Sequence, residues 1–292
     1  MNKVCRTLLL ALTAGTLLAG CSATALIYDN LPWLVRRQLD ERFDLTSAQE
    51  QQLKERIAEL AAWHRRDELP RYAELLQSLE DAFADGLTPA EIERFSASLR
   101  SARARLIEAA IPASTEFLLS VDRAQLEEFE RTHRERMEED RERLQLPLEE
   151  QAELRFEKTM DNLEDWFGDF DAAQRRRILA LVTALPDTYA GWLERREYQH
   201  RRFVELMSSD AKPDQVEQRL REWWLSDSGG LPSAMLANRD RFWKSAFAFL
   251  LEVDGVLNAE QRTHALARLR RYREDFVRLN KADYATGRDT RS

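Results

Sequence analysis

The chain has 292 residues, 43% hydrophobic and 33% charged, with 44 Lys+Arg against 52 Asp+Glu and a formal net charge of -8. That apolar content excludes wholesale disorder, and 9 Gly with 8 Pro are too few for a turn-rich sandwich or barrel. The acidic balance argues against a general binder of phosphate backbones, so no nucleic-acid partner is expected.

The first segment reads as an address. Lys3 and Arg6 precede an apolar run from Leu8 to Ala19. At about 1.5 Å per residue that run falls short of a hydrocarbon core of about 30 Å, and it fits the core of an export signal. It closes on Leu18-Ala19-Gly20-Cys21, which resembles the lipobox of bacterial lipoproteins. The resemblance implies removal of residues 1–20 and acylation of both the Cys21 sulfur and its new amine. With Ser22 following the cysteine, it also implies residence at the outer membrane, on the periplasmic face. Several acyl chains, at about 0.8 kcal/mol per buried methylene, make a stable anchor. Cys5 leaves with the leader, so no disulfide is expected.

Beyond a lipid-anchored segment and first helix over 21–43, almost everything reads as helix. Leu53, Ile57, Leu60 and Ala61 recur at helical spacing, as do Ile92, Phe95, Leu99, Ala102 and Leu106, and later Leu266, Leu269, Tyr272, Phe276 and Leu279. Each set predicts one apolar stripe facing a core. The helix starts share a device. Thr46/Gln49, Thr88/Glu91, Asp122/Gln125, Asp171/Gln174 and Asn258/Gln261 place a capping side chain three residues before Gln or Glu, the pattern of a capping box.

The spacing of these boxes predicts two related halves. Gln49 recurs as Gln174, Pro89 as Pro213, and the block Phe117–Asp122 as Phe249–Asp254, at an offset of 132. The expectation is an all-α, elongated multi-helix bundle with half 1 at 44–143, a connecting helix at 144–168, half 2 at 169–280 and a polar tail at 281–292. The near-continuous apolar run Phe242–Val253 predicts a buried central helix. Glu127–Arg143 predicts a partly exposed helix laced by Glu127/Arg131, Glu130/Arg134 and Glu139/Arg143 pairs.

Three stretches together resemble a known family: Tyr28-Asp29-Asn30-Leu31-Pro32-Trp33-Leu34, Phe43-Asp44-Leu45-Thr46-Ser47-Ala48-Gln49, and Trp63-His64-Arg65-Arg66-Asp67-Glu68-Leu69-Pro70-Arg71-Tyr72. They are similar to the uncharacterised bacterial lipoproteins grouped as DUF6279, which implies no particular activity. Leu45-Thr46-Ser47-Ala48-Gln49 also matches the LTxxQ motif of the Spy/CpxP periplasmic proteins. Those are short helical chaperones or sensors, and the capping box accounts for the motif by itself.

No catalytic set stands out. The mature chain has no free Cys beside a His and no Gly-x-Ser-x-Gly elbow, and His64, His133, His200 and His264 stand on separate helices without metal-pair spacing. No catalytic residue, metal or cofactor is therefore expected. The basic run Arg268-Leu269-Arg270-Arg271-Tyr272-Arg273 predicts an exposed basic face. Trp33, Trp63, Trp166 and Trp192 predict packing. Trp223-Trp224, neighbours about 100° apart on a helix, cannot both face one core, so one of them is either a candidate partner contact or covered by the Ser226–Pro232 loop. The best candidate surface site is His64, Arg66 and Glu68, where Leu69-Pro70 should end or kink the helix; its alternative is a salt-bridged corner. The expected role is a non-catalytic protein-binding or scaffold module of the cell envelope, tied to the membrane through Cys21 and partnered by envelope proteins. An envelope-stress chaperone and a cell-wall-acting enzyme are the alternatives.

Overall fold

The computed structural model describes residues 23–286, which are helical nearly throughout and contain no strand. The chain runs α1 (Ala23–Phe43), α2 (Ser47–Trp63), a π-helical turn (His64–Glu68), α3 (Leu69–Ala84), α4 (Pro89–Ser120), α5 (Arg123–Leu144), α6 (Leu148–Phe167), α7 (Ala172–Ala184), α8 (Tyr189–Met207), α9 (Pro213–Leu225), α10 (Ser233–Val256) and α11 (Ala259–Thr286). The fold class is all-α, as the helical periodicities predict. Cys21 and the export segment lie outside the described residues, as does the end of the polar tail. Among the described residues no helix is long and apolar enough to cross a membrane.

All five capping boxes form. Thr46, Thr88, Asp122 and Asp171 each accept a first-turn N–H, and the Gln or Glu three residues on reaches back to the cap. Asn258 and Gln261 do the same at α11. Four of these glutamines then act across helices. Gln49 donates to Ser120 O and to Gln125 Oε1, both at 3.0 Å, while Gln125 donates to Asp44 O at 3.0 Å and to Gln49 Oε1 at 2.7 Å. Gln174 and Gln261 repeat the pattern, donating to Val256 O and Asp169 O at 2.7 Å each and to one another. Each pair clasps two helix starts and satisfies carbonyls at the ends of the preceding helices, which otherwise lack partners.

Helix contacts recur in the same paired way. α1 lies on α5 and α6 on α11; α2 lies on α4 and α7 on α10; α3 lies on α11 and α8 on α5. With α1–α5 taken as one set and α6–α11 as the other, the last helix of each packs on a helix of the other, and α9 seats on α4. One core gathers Phe43, Leu53, Ile111, Phe117, Leu118, Val216 and Leu220; a second gathers Met160, Leu163, Phe170, Ile178, Val182 and Val253. The clasps correct the register of the recurring block. Gln125 corresponds to Gln261 and Ser120 to Val256, an offset of 136, so matching Phe117–Asp122 to Phe249–Asp254 at 132 slips by about one helical turn. Asp122 is a cap, whereas Asp254 is buried inside α10, accepting from Arg262 at 2.7 Å and from the Leu87 N–H at 3.0 Å.

Other expectations also change. Phe242–Val253 is not a buried helix: Phe242 is 43% exposed, Trp243 52% and Leu250 46%, because the neighbouring helices cover only the Val253 end of α10. Leu99 is exposed although Ile92 and Ala102 on its stripe are buried. Arg131 pairs with Glu128 and Glu135 instead of Glu127, its guanidinium forking between carboxylates one turn to either side. In the basic run, Arg270 and Arg273 hold buried Glu80, and Arg268 lies 4.8 Å over the Trp166 ring.

Candidate functional site

The helix does not stop at Leu69-Pro70. It widens into the π turn, in which the Leu69 N–H reaches back five residues to His64 O. That shift and the missing N–H of Pro70 remove the usual helical donors from Arg65 O and Arg66 O. The Asn280 side-chain amide of α11 donates to both, at 2.9 and 3.3 Å. The wider turn directs Glu68 inward, where it is fully buried, accepting from Arg105 at 2.7 and 2.8 Å and from Arg71 at 2.6 Å. Burial pushes the Glu68 carboxyl up, but the hydrogen bonds and charge of Arg105 and Arg71 outweigh it and hold the group below its ordinary range. His64 bonds the Tyr28 hydroxyl through Nδ1 and the Tyr72 hydroxyl through Nε2 at 3.3 Å. Burial lowers its pKa against the opposing pull of Glu68, which suits a neutral ring with one donor and one acceptor. Arg66 instead turns outward and pairs with Asp67 at 2.7 Å. The structure thus joins His64 and Glu68 to one inward-facing network and leaves Arg66 outside it.

Trp223 and Trp224 both pack, half-buried, against the first core. The expectation that only one could face it fails because α9 is wedged among several apolar neighbours, and indoles 100° apart both find cover. Arg202 lies 5.3 Å over the Trp223 ring and also holds Gly230 O at 2.8 Å, tying down the turn after α9. Gly229 and Gly230 both have positive φ, which glycine adopts without a side-chain clash, in the turn that follows α9.

A substantial cleft lies elsewhere. A cleft of about 890 Å³ runs between α6, the first turns of α8 and α10, and is closed at one end by the last turns of α5. Its apolar wall carries Trp192, Phe242, Trp243 and Leu154, all exposed; Tyr189 stacks on Trp192 with centroids 5.6 Å apart, and Phe242 meets Trp243 edge-on at 5.4 Å. At the α5 end, Asp140 accepts from the Tyr189 hydroxyl at 3.1 Å and from Arg196 at 2.6 Å. Burial and that hydrogen bond push the Tyr189 phenol above its ordinary pKa. Monomeric proteins rarely present large contiguous apolar surface without a use for it. Phe242 and Trp243 both lie outside the core, which the apolar run of α10 does not announce.

A second assembly also escaped the sequence. His133 of α5 and His200 of α8 stack face to face, 3.6 Å apart and within 2° of parallel, and Phe129 and Phe43 continue the column. Burial, then His200, Arg196, Arg141 and Arg136, lower the His133 pKa to about 4; burial also lowers His200. No spacing rule on one helix finds such a pair, because it joins two halves of the chain. Among the described residues no group of three or more His, Cys, Asp or Glu side chains converges as a metal site.

The model of a family described as being of unknown function, DUF6279, matches residues 41–231. The chain belongs to that family. The matched range contains His64, Glu68, Arg71, Tyr72 and Arg105 of the inward-facing network, one Gln clasp and the α6 and α8 walls of the cleft, whereas Tyr28–Leu34 precedes it and Asn280 and the α10 wall follow it. No curated protein and no solved structure matches the chain.

Proposed function

We propose that this protein is a non-catalytic binding module of the cell envelope, anchored at the outer membrane through lipid on Cys21, that holds a protein partner in the cleft between α6, α8 and α10. The five-helix sets α1–α5 and α6–α11, with α9 and α10 together standing for α4, act as two copies of one unit, and the second copy carries the cleft. The observation that carries this reading is the exposed aromatic face of α10: Trp243 and Phe242 are about half exposed on a concave wall, beside the stacked Tyr189 and Trp192. Trp, Tyr and Arg are the residues that most often dominate protein-binding energy, and here they share one surface. A Spy/CpxP-like envelope-stress chaperone is the second reading, favoured by the same concavity, which is open and apolar.

The test is chemical cross-linking in intact cells, recovery of the lipidated protein and mass spectrometry, comparing the natural chain with a Phe242→Ala/Trp243→Ala variant. One partner recovered in stoichiometric amount and lost in the variant is the expected result. A broad set of unrelated envelope proteins, growing under heat or ethanol, would favour the chaperone. A partner retained undiminished by the variant would contradict the cleft as the site.

A further inference from the structure

The charge around the cleft runs opposite to that of the chain. Five basic side chains line it (Arg143, Arg155, Lys158, Arg195 and Arg239) against the carboxylates Asp140 and Asp187, in a protein whose formal charge is -8. Asp140 is already held by Arg196 and Tyr189. Arg155, Lys158 and Arg195 form no ion pair among the described residues, and the buried Arg155 Nε has no hydrogen-bond partner. Beside them, the side-chain amides of Asn162 and Asn238 on opposite walls are likewise without a hydrogen bond among the described residues. An acyl chain would use none of these amides, whereas a peptide backbone supplies both donors and acceptors for them.

From this combination of exposed rings, surplus positive charge and free amides, and resting on the protein-binding reading above, we propose that the cleft takes an extended acidic peptide segment with aromatic or aliphatic side chains between its carboxylates. The rings of Trp192, Phe242 and Trp243 receive the apolar side chains. Arg155, Lys158 and Arg195 meet the carboxylates, and Asn162 and Asn238 bond the peptide backbone. Opposite charge across a surface sets selectivity and salt dependence, so the choice of partner rests on the basic side chains and much of the affinity on the rings.

The test uses the full chain and three fluorescein-labelled hexapeptides differing only in charge: acidic DFELDF, neutral NFQLNF and basic KFKLKF, followed by fluorescence anisotropy. The acidic peptide should bind at least about tenfold more tightly than the neutral one, with affinity falling as salt rises. An Arg155→Gln/Lys158→Gln/Arg195→Gln variant should erase that preference, and Trp243→Ala should weaken all binding. Equal binding of the acidic and neutral peptides, lost in Trp243→Ala, would overturn the acidic class while leaving the cleft as a binding surface. Binding insensitive to Trp243→Ala would overturn both. Displacement of the acidic peptide by monomeric lysophosphatidylglycerol, with the neutral and acidic peptides binding alike, would assign the cleft to an anionic amphiphile and overturn the peptide.

Discussion

Where α1, α3, α4 and α11 converge, Tyr28, His64, Tyr72 and Phe276 fill the space with rings, and Arg105 of α4 seals Glu68 beneath them. At the corresponding meeting of α6, α8, α10 and α5 the space stays open as the cleft. The helix contacts and the Gln clasps are alike in the two sets, so the difference lies in what the helices carry and in their continuity. α4 runs 32 residues without a break and carries Arg105 into the corner. Its counterpart is divided into α9 and α10 by the Ser226–Pro232 loop, and α10 presents the exposed rings of Phe242 and Trp243 to the cleft. One scaffold thus supports a closed, self-satisfied junction and an open one.

The largest effect on this contrast is expected at the closed junction. Glu68→Ala leaves Arg105 and Arg71 without their carboxylate and should cost about 2–3 kcal/mol of stability, below the cost in a fully buried pair because both guanidiniums reach water. Urea unfolding measures that loss, and peptide binding at the cleft should persist. A Glu68→Ala or His64→Ala variant that stays fully stable yet loses the protein's function would break the contrast by making the corner a working site.

The two clasps should respond alike. Gln49→Ala and Gln174→Ala each remove a capping-box side chain and its cross-helix bonds, for about 1–2 kcal/mol each. Since the clasps lie in separate cores, the double variant should lose the sum to within about 0.5 kcal/mol. Strong non-additivity would mean that the two sets do not behave as separate units.

The His133/His200 stack joins α5 to α8 and makes that junction sensitive to acid. His133 titrates near 4 when folded and near 6.5 when unfolded, so between those values the unfolded chain binds protons that the folded chain does not. Its contribution is intact above pH 6.5 and declines as the pH falls towards 4, by roughly 1–2 kcal/mol after solvent screening. Comparing urea midpoints at pH 7 and pH 5 should show a smaller acid loss in His133→Phe than in the natural chain. An equal loss in both would remove the stack from the account.

Trp243→Ala is expected to have the smallest effect on stability, within about 0.5 kcal/mol, because half the ring is already in water. A large loss of stability on thermal unfolding would show that the open wall serves the fold.

The helices and their starts were legible in the sequence because capping boxes and apolar stripes are local. Thr46/Gln49 and Asp171/Gln174 announce two helix starts whatever surrounds them. That Gln49 also reaches Gln125 was not legible, since that bond depends on how distant helices pack. The one-turn slip at Phe249–Asp254 has a related cause: similar apolar runs match at several helical offsets, and only the clasp fixes the right one. Of the candidate site residues, Glu68 and His64 were found through Pro70. The cleft was missed because an apolar run such as Phe242–Val253 reads the same whether a neighbouring helix covers it or leaves it bare.

The contrast between closed corner and open cleft is tested most directly by photo-cross-linking in intact cells, with p-benzoylphenylalanine placed at Ser245 in the cleft or at Arg66 on the corner. The account predicts a discrete adduct with one envelope protein from position 245 and none from position 66. Adducts from position 66 alone would contradict it and return the binding site to the corner.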